Sequence, residues 1–96
     1  MYAQLVSFTL EPGMRQTAEK LADQFDPALK SLKGFKSASY LASDSTGEYA
    51  TFSLWESKED AEAAAAITGP RLEEALKSIA KSGPTRLMFD VYTPGS

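Results

Sequence analysis

Apolar and polar residues alternate from Tyr2 to Leu10, with Val6, Phe8 and Leu10 on one face and Ala3, Leu5, Ser7 and Thr9 on the other. A period of two predicts a β-strand. Neither face is strongly polar, so the strand is expected to be covered on both sides. Glu11-Pro12-Gly13 interrupts it, as Pro and Gly do. From Met14 the spacing becomes helical, and Met14, Ala18, Leu21, Phe25, Leu29 and Leu32 line one face while Lys20, Asp23, Gln24 and Lys30 take the other. Asp26-Pro27 falls inside this stripe and predicts a kink or a restart, with Asp26 as a new N-cap and Pro27 at the first helical position. Lys33-Gly34 closes the helix, a cation followed by a residue suited to the left-handed conformation.

Phe35 to Ser43 predicts a second strand, with Ala38, Tyr40 and Ala42 on one face and Ser37, Ser39 and Leu41 on the other. Asp44-Ser45-Thr46-Gly47 has the chemistry of a hairpin turn, and Glu48 to Trp55 alternates again. Ser57 is placed as an N-cap, with Asp60 three residues later and Glu59 beside it where a helix N-terminus favours negative charge. The alanine-rich helix that follows is expected to stop near Gly69-Pro70. A further helical segment carries the stripe Leu72, Ala75, Leu76, Ile79 and Ala80, and Ser82-Gly83-Pro84 is expected to end it. Thr85 to Tyr92 predicts the last strand, with Leu87, Phe89 and Val91 opposite Arg86, Met88, Asp90 and Tyr92.

The order β-α-β-β-α-β predicts an α+β fold of the ferredoxin-like, split βαβ type, with a four-stranded antiparallel sheet and both helical layers on one face. Residues 1–93 are expected to form one domain and residues 94–96 a C-terminal tail. Helices on one side leave the other face of the sheet open, although the strands supply apolar or aromatic residues to both. A second copy of the chain is the simplest cover, so a homodimer packed sheet to sheet is expected.

Composition narrows the chemistry. The chain has 96 residues, 43% of them hydrophobic and 10% aromatic, a globular composition with room for one core. It contains no Cys, no His and no Asn. Thiolate nucleophiles, disulfides and the commonest metal and haem ligands are therefore excluded, together with the usual general base near neutral pH. A net charge of -3 disfavours nucleic acid as a partner. No apolar run approaches the ~18 residues of a membrane span, and the first ten residues read as a strand rather than a signal peptide. A cytoplasmic protein without a membrane partner is expected.

Three features together carry a family resemblance: an opening strand ending in Glu11-Pro12-Gly13, a Gly34-Phe35 entering the second strand, and above all Tyr49 to Ala61 with its Leu54-Trp55-Glu56-Ser57-Lys58-Glu59-Asp60-Ala61. The chain resembles the antibiotic biosynthesis monooxygenase (ABM) domain of the dimeric α+β barrel superfamily. The likeness covers nearly the whole chain in element order, and its specific part is about a dozen residues around Trp55. It implies a dimer whose sheets close into a barrel, with a small-molecule pocket in each subunit between sheet and helices. It also implies cofactor-independent oxygenation of polycyclic phenols and quinol-like substrates, or haem degradation, although many members have no known activity. Trp55 matches the tryptophan that contacts substrate or haem in these branches. Both branches also use an Asn, and the haem branch a helix-borne His, and this chain has neither. Haem degradation is therefore not expected.

The expected activity is a cofactor-independent monooxygenase acting on a small aromatic substrate, a phenol, anthrone or quinol. No cofactor and no metal are expected, because the electron-rich substrate itself reduces oxygen. The alternative is a non-catalytic homodimer of the same fold, ligand-binding or structural. The catalytic candidates are Trp55 and Arg86. An indole at a strand end can stack on a flat ring and donate one hydrogen bond, and it can equally lock strand to helix as a core residue. Arg86 can hold a phenolate or enolate in its ionised form, and it can equally form an intersubunit ion pair with Asp90 or Glu56. Candidate substrate-binding residues are Tyr40, Tyr49, Tyr92 and Ser53. Tyr49, Thr51, Ser53 and Trp55 share a face by parity, which suits either a pocket or a dimer interface. Arg71 is a candidate gate or a solvated charge. An RNA-recognition fold has the same element order, but the basic residue before the glycine and the positive surface it needs are missing.

Overall fold

The computed structural model describes residues 1–95; Ser96, the end of the expected tail, lies outside the described residues. The elements run β1 (Tyr2–Leu10), α1 (Arg15–Lys30), β2 (Phe35–Ser43), β3 (Glu48–Trp55), α2 (Lys58–Leu76) and β4 (Ala80–Asp90). The four strands form one antiparallel sheet in the order β2-β3-β1-β4, the ferredoxin-like arrangement. Register aligns Tyr40, Thr51, Val6 and Arg86 in one row and Ala38, Ser53, Gln4 and Met88 in the next. Among the described residues, no helix is long and apolar enough to cross a membrane.

The three predicted strands that precede α2 have the bounds that alternation gives them. Gly47 closes the β2–β3 turn at φ +74°, where its carbonyl accepts from Leu10 N–H at 2.8 Å. A side chain there would run into the Leu10 carbonyl, so both conformation and space require glycine. Ser57 caps α2, its Oγ accepting from Asp60 N–H at 3.1 Å.

Three expectations need correction. Helix α1 does not restart at Asp26-Pro27 but runs through it. Pro27 leaves the Asp23 carbonyl without its helical donor, but Asp23 is exposed and water can serve that carbonyl. Buried Leu29, one residue past Ala28, holds the last turn against the sheet. Asp26 caps nothing; its carboxylate accepts from Tyr40 Oη at 2.8 Å and pairs with Lys30 at 2.8 Å. Helix α2 likewise continues through Gly69-Pro70, with exposed Ala66 as the carbonyl deprived of a donor and buried Leu76 as the anchor beyond. Tertiary packing overrides the local breaker in both cases. Finally, β4 begins at Ala80, and Ser82-Gly83-Pro84 is an irregularity within it, where the register with β1 shifts. β4 is an edge strand, the place where a sheet tolerates proline.

Apolar packing between sheet and helices divides into two clusters. Leu10, Ala18, Tyr49 and Leu76 form one, and Leu29, Trp55, Ala61 and Ala64 the other. On the opposite face of the sheet, among the described residues, Leu41, Phe52, Leu87 and Phe89 are exposed.

Candidate active site

Between the two clusters the helices fail to close over the sheet, because α1 leans on β2 while α2 packs on β4, β1 and β3. The gap is a cavity of about 230 Å³. Val6 and Phe8 of β1, Leu21, Phe25 and Leu29 of α1 and Leu72 of α2 give it apolar walls. It opens where exposed Arg15 and Glu19 of α1 face Tyr40 and Ala42 of β2. Two ties hold α1 to the β2–β3 hairpin across this opening: Arg15 Nη1 donates to both Asp44 oxygens at 3.0 and 3.1 Å, and Tyr40 donates to Asp26. The tyrosine hydroxyl is pushed well above its usual range, by burial first and by the bond to Asp26 second. It stays protonated at neutral pH.

Polarity inside the cavity is concentrated at one place. Arg86 of β4 points from the sheet toward α2, where it meets the backbone of Gly69; a Cβ at that glycine would stand 3.4 Å from Arg86 Nη1. Arg86 Nε is buried with no hydrogen-bond partner, and among the described residues no carboxylate pairs with the guanidinium. Gln4, 3% exposed, lines the same cavity, and its Oε1 is also buried without a partner. Orphaned buried polar atoms each cost about 1–3 kcal/mol unless water or ligand serves them. Both belong to residues that line the one cavity.

The structure brings Arg86, Tyr40, Tyr49 and Ser53 to the cavity wall and leaves Trp55 and Tyr92 out of it. Trp55 is 0% exposed, edge-on to Phe35 at 5.5 Å, with Ala61 and Ala64 of α2 packed in its cluster. Its Nε1–H donates to Ser53 Oγ at 2.9 Å, so the indole reaches the cavity only through that serine. Tyr92 is 82% exposed beyond the end of β4. The shared face of Tyr49, Thr51, Ser53 and Trp55 points toward the helices, which removes the interface alternative for that set. Within the chain, and among the described residues, Arg86 makes no ion pair with Asp90 or Glu56, and Glu56 pairs with Lys36. Arg71 lines a separate shallow depression with Gln24, Pro70 and Glu74 on the outer side of the helices. Among the described residues there is no group of three His, Cys, Asp or Glu side chains placed to hold a metal ion.

Two cavity residues escape the sequence reading. Gln4 has the same parity as Val6, Phe8 and Leu10, and a polar side chain at the head of an apolar stripe was the available signal. Thr68 is buried beside Gly69 and returns its hydroxyl to Ala64 O at 2.9 Å, a pattern indistinguishable by sequence from an ordinary helical threonine.

Residues 1–66 match the family described as antibiotic biosynthesis monooxygenase. Solved structures repeat the fold. A monooxygenase from the gene ActVA-Orf6 of Streptomyces coelicolor, solved with nanaomycin D, is 22% identical, with 96% of this chain and 88% of that one covered at a TM-score of 0.78. SnoaB, a cofactor-independent oxygenase from Streptomyces nogalater, is 16% identical, with 98% and 95% covered at 0.76. Rv0793 from Mycobacterium tuberculosis is 14% identical, with 99% and 98% covered at 0.79. Among curated proteins, none matches. The sequence match spans well over half of the 96 residues, and the chain belongs to the antibiotic biosynthesis monooxygenase family.

Proposed function

We propose that this protein is a cofactor-independent monooxygenase acting on a small aromatic substrate, a phenol, anthrone or quinol, and that it works as a homodimer. The observation that carries this reading is the guanidinium of Arg86, without a carboxylate partner among the described residues, on the wall of a mostly apolar cavity. Apolar walls suit a flat ring. A half-buried cation without a counter-ion favours the ionised form of a phenol that binds beside it. The two solved oxygenases of the same fold support the reaction class, since one is a monooxygenase solved with nanaomycin D and the other a cofactor-independent oxygenase.

The phenol loses its proton to solvent water as it binds, and Arg86 holds the oxyanion. The phenolate passes one electron to oxygen, and the resulting radical and superoxide couple at a ring carbon bearing hydrogen, forming the C–O bond. Protonation of the peroxide, loss of the ring hydrogen as a proton and departure of hydroxide from the O–O bond leave a carbonyl. In sum, a phenol and one oxygen molecule give a quinone and one water. In this scheme Tyr40 and Tyr49 bound the ring. Trp55 is a positioning residue that fixes the Ser53 rotamer rather than a group that touches substrate.

The open sheet face with Leu41, Phe52, Leu87 and Phe89 supports the homodimer, since contiguous apolar area of this kind marks an interface. The test of the chemistry is isotopic. With 1-naphthol, anthrone and a naphthohydroquinone under ¹⁸O₂, the expected product carries one ¹⁸O in its new carbonyl and the other leaves in water. A bound aromatic that returns unchanged would instead identify a ligand-binding dimer.

A further inference from the structure

The polar end of the cavity has two members, and they differ in what they need. Arg86 offers only donors and calls for an anionic acceptor. Gln4 offers an amide whose Oε1 is the buried, unserved atom and calls for a donor. The two sit on neighbouring antiparallel strands, with Gln4 opposite Met88 and Val6 opposite Arg86. They are therefore diagonal neighbours on the helix-facing side of the sheet, ~7–8 Å apart at the backbone and closer at the side chains. The neighbouring hydroxyl is already engaged: Ser53 Oγ accepts from Trp55 and donates toward the Gln4 carbonyl. Gly69, with no side chain, lets the guanidinium rest against α2.

Resting on the reading of the cavity as a phenol site, we propose that Gln4 and Arg86 form a two-point recognition site for the monoanion of an aromatic bearing two neighbouring oxygens, an ortho- or peri-dihydroxy ring, with its hydroxyl donating to Gln4 Oε1 and its oxyanion accepting from Arg86. A simple phenolate serves Arg86 and leaves Oε1 orphaned. A carboxylate serves Arg86 and the amide N–H, but sets a second acceptor against Oε1. Only a donor beside an anion answers both atoms. The site thereby selects among phenols as well as holding them.

The test is anaerobic calorimetry with 2,3-dihydroxynaphthalene, 2-naphthol and 3-methoxy-2-naphthol, so that no turnover confuses binding. Wild type is expected to bind the diol about tenfold or more tightly than either of the others, the worth of one buried hydrogen bond. The methoxy compound keeps the second oxygen and lacks the donor, so this comparison needs no variant. Gln4→Met is expected to abolish the preference for the diol, and Arg86→Met to weaken all three ligands. Equal affinities for diol and 2-naphthol in wild type, a preference that survives Gln4→Met, or no binding of the diol would each overturn the two-point site. Oxygen uptake with 2-naphthol as substrate, at a rate equal to that with the diol, would overturn it while leaving the monooxygenase reading intact.

Discussion

Arg86 and Trp55 show how differently two candidate residues fare once their neighbours are known. Arg86 has an unserved charge in the cavity, so Arg86→Met is expected to lower kcat/KM by at least about a hundredfold, as the loss of a buried charge-assisted hydrogen bond would, while leaving the thermal midpoint unchanged or raised. A midpoint that falls with activity retained would make it a structural residue. Trp55 is expected to behave the other way. Trp55→Phe removes the bond to Ser53 and opens space beside Ala61 and Ala64, so urea unfolding should show a loss of about 1–3 kcal/mol. Wild-type stability in that variant would contradict the packing described. Sequence alone leaves the two roles of Trp55 open, because an aromatic ring at a strand end reads the same in a core and in a pocket. The deciding information is the small residues that α2 brings against it, which depends on how a helix packs and not on the strand's own pattern. Arg86 is legible as a cation on the inner face of the last strand; Gln4 is visible only as a break in a stripe, and its meaning depends on the gap between helices above it.

Both helices run through a proline, where the sequence suggests a kink or restart in α1 and a stop in α2. Propensity and turn chemistry describe the chain locally, and the buried leucines beyond each proline outweigh them. The strands are better determined, since their period of two is set by the sheet's own faces. Within α2, Gly69 is helical with a Cβ-sized space bounded by Arg86 at 3.4 Å. Gly69→Ala is therefore expected to stabilise the protein by about 0.5–1 kcal/mol through helix propensity, measured by urea unfolding; destabilisation would mean that the guanidinium cannot yield the contact. Helix α1 is held by the Tyr40–Asp26–Lys30 tie. The Asp26 carboxyl lies below its ordinary range, chiefly through Lys30 and next through Tyr40, against an opposing effect of burial. A carboxyl whose pKa is lower in the folded chain contributes stability above its unfolded value, about 3.9, and loses it as pH falls through the folded value. The urea midpoint of wild type should thus fall more steeply than that of Lys30→Met between about pH 5 and about pH 2. Parallel pH profiles would show that the tie carries no linkage.

At the scale of the molecule, one face of the sheet is spent on the cavity, and on the other, among the described residues, Leu87 is 56% and Phe89 48% exposed. A second copy packed on that face would bury these side chains, and sedimentation at micromolar concentration is expected to show a dimer in wild type and a monomer in Leu87→Glu. A wild-type monomer would contradict that arrangement. The central claim, however, is chemical: a cavity with a cation at its end turns a bound phenol into the form that reduces oxygen. The most direct measurement is oxygen consumption by metal-free protein supplied with anthrones, naphthols and quinols, run beside Arg86→Met. Uptake of one oxygen per substrate, above the spontaneous rate and lost in the variant, is the result expected. Uptake equal to buffer alone across the panel, or uptake unchanged in Arg86→Met, would contradict it.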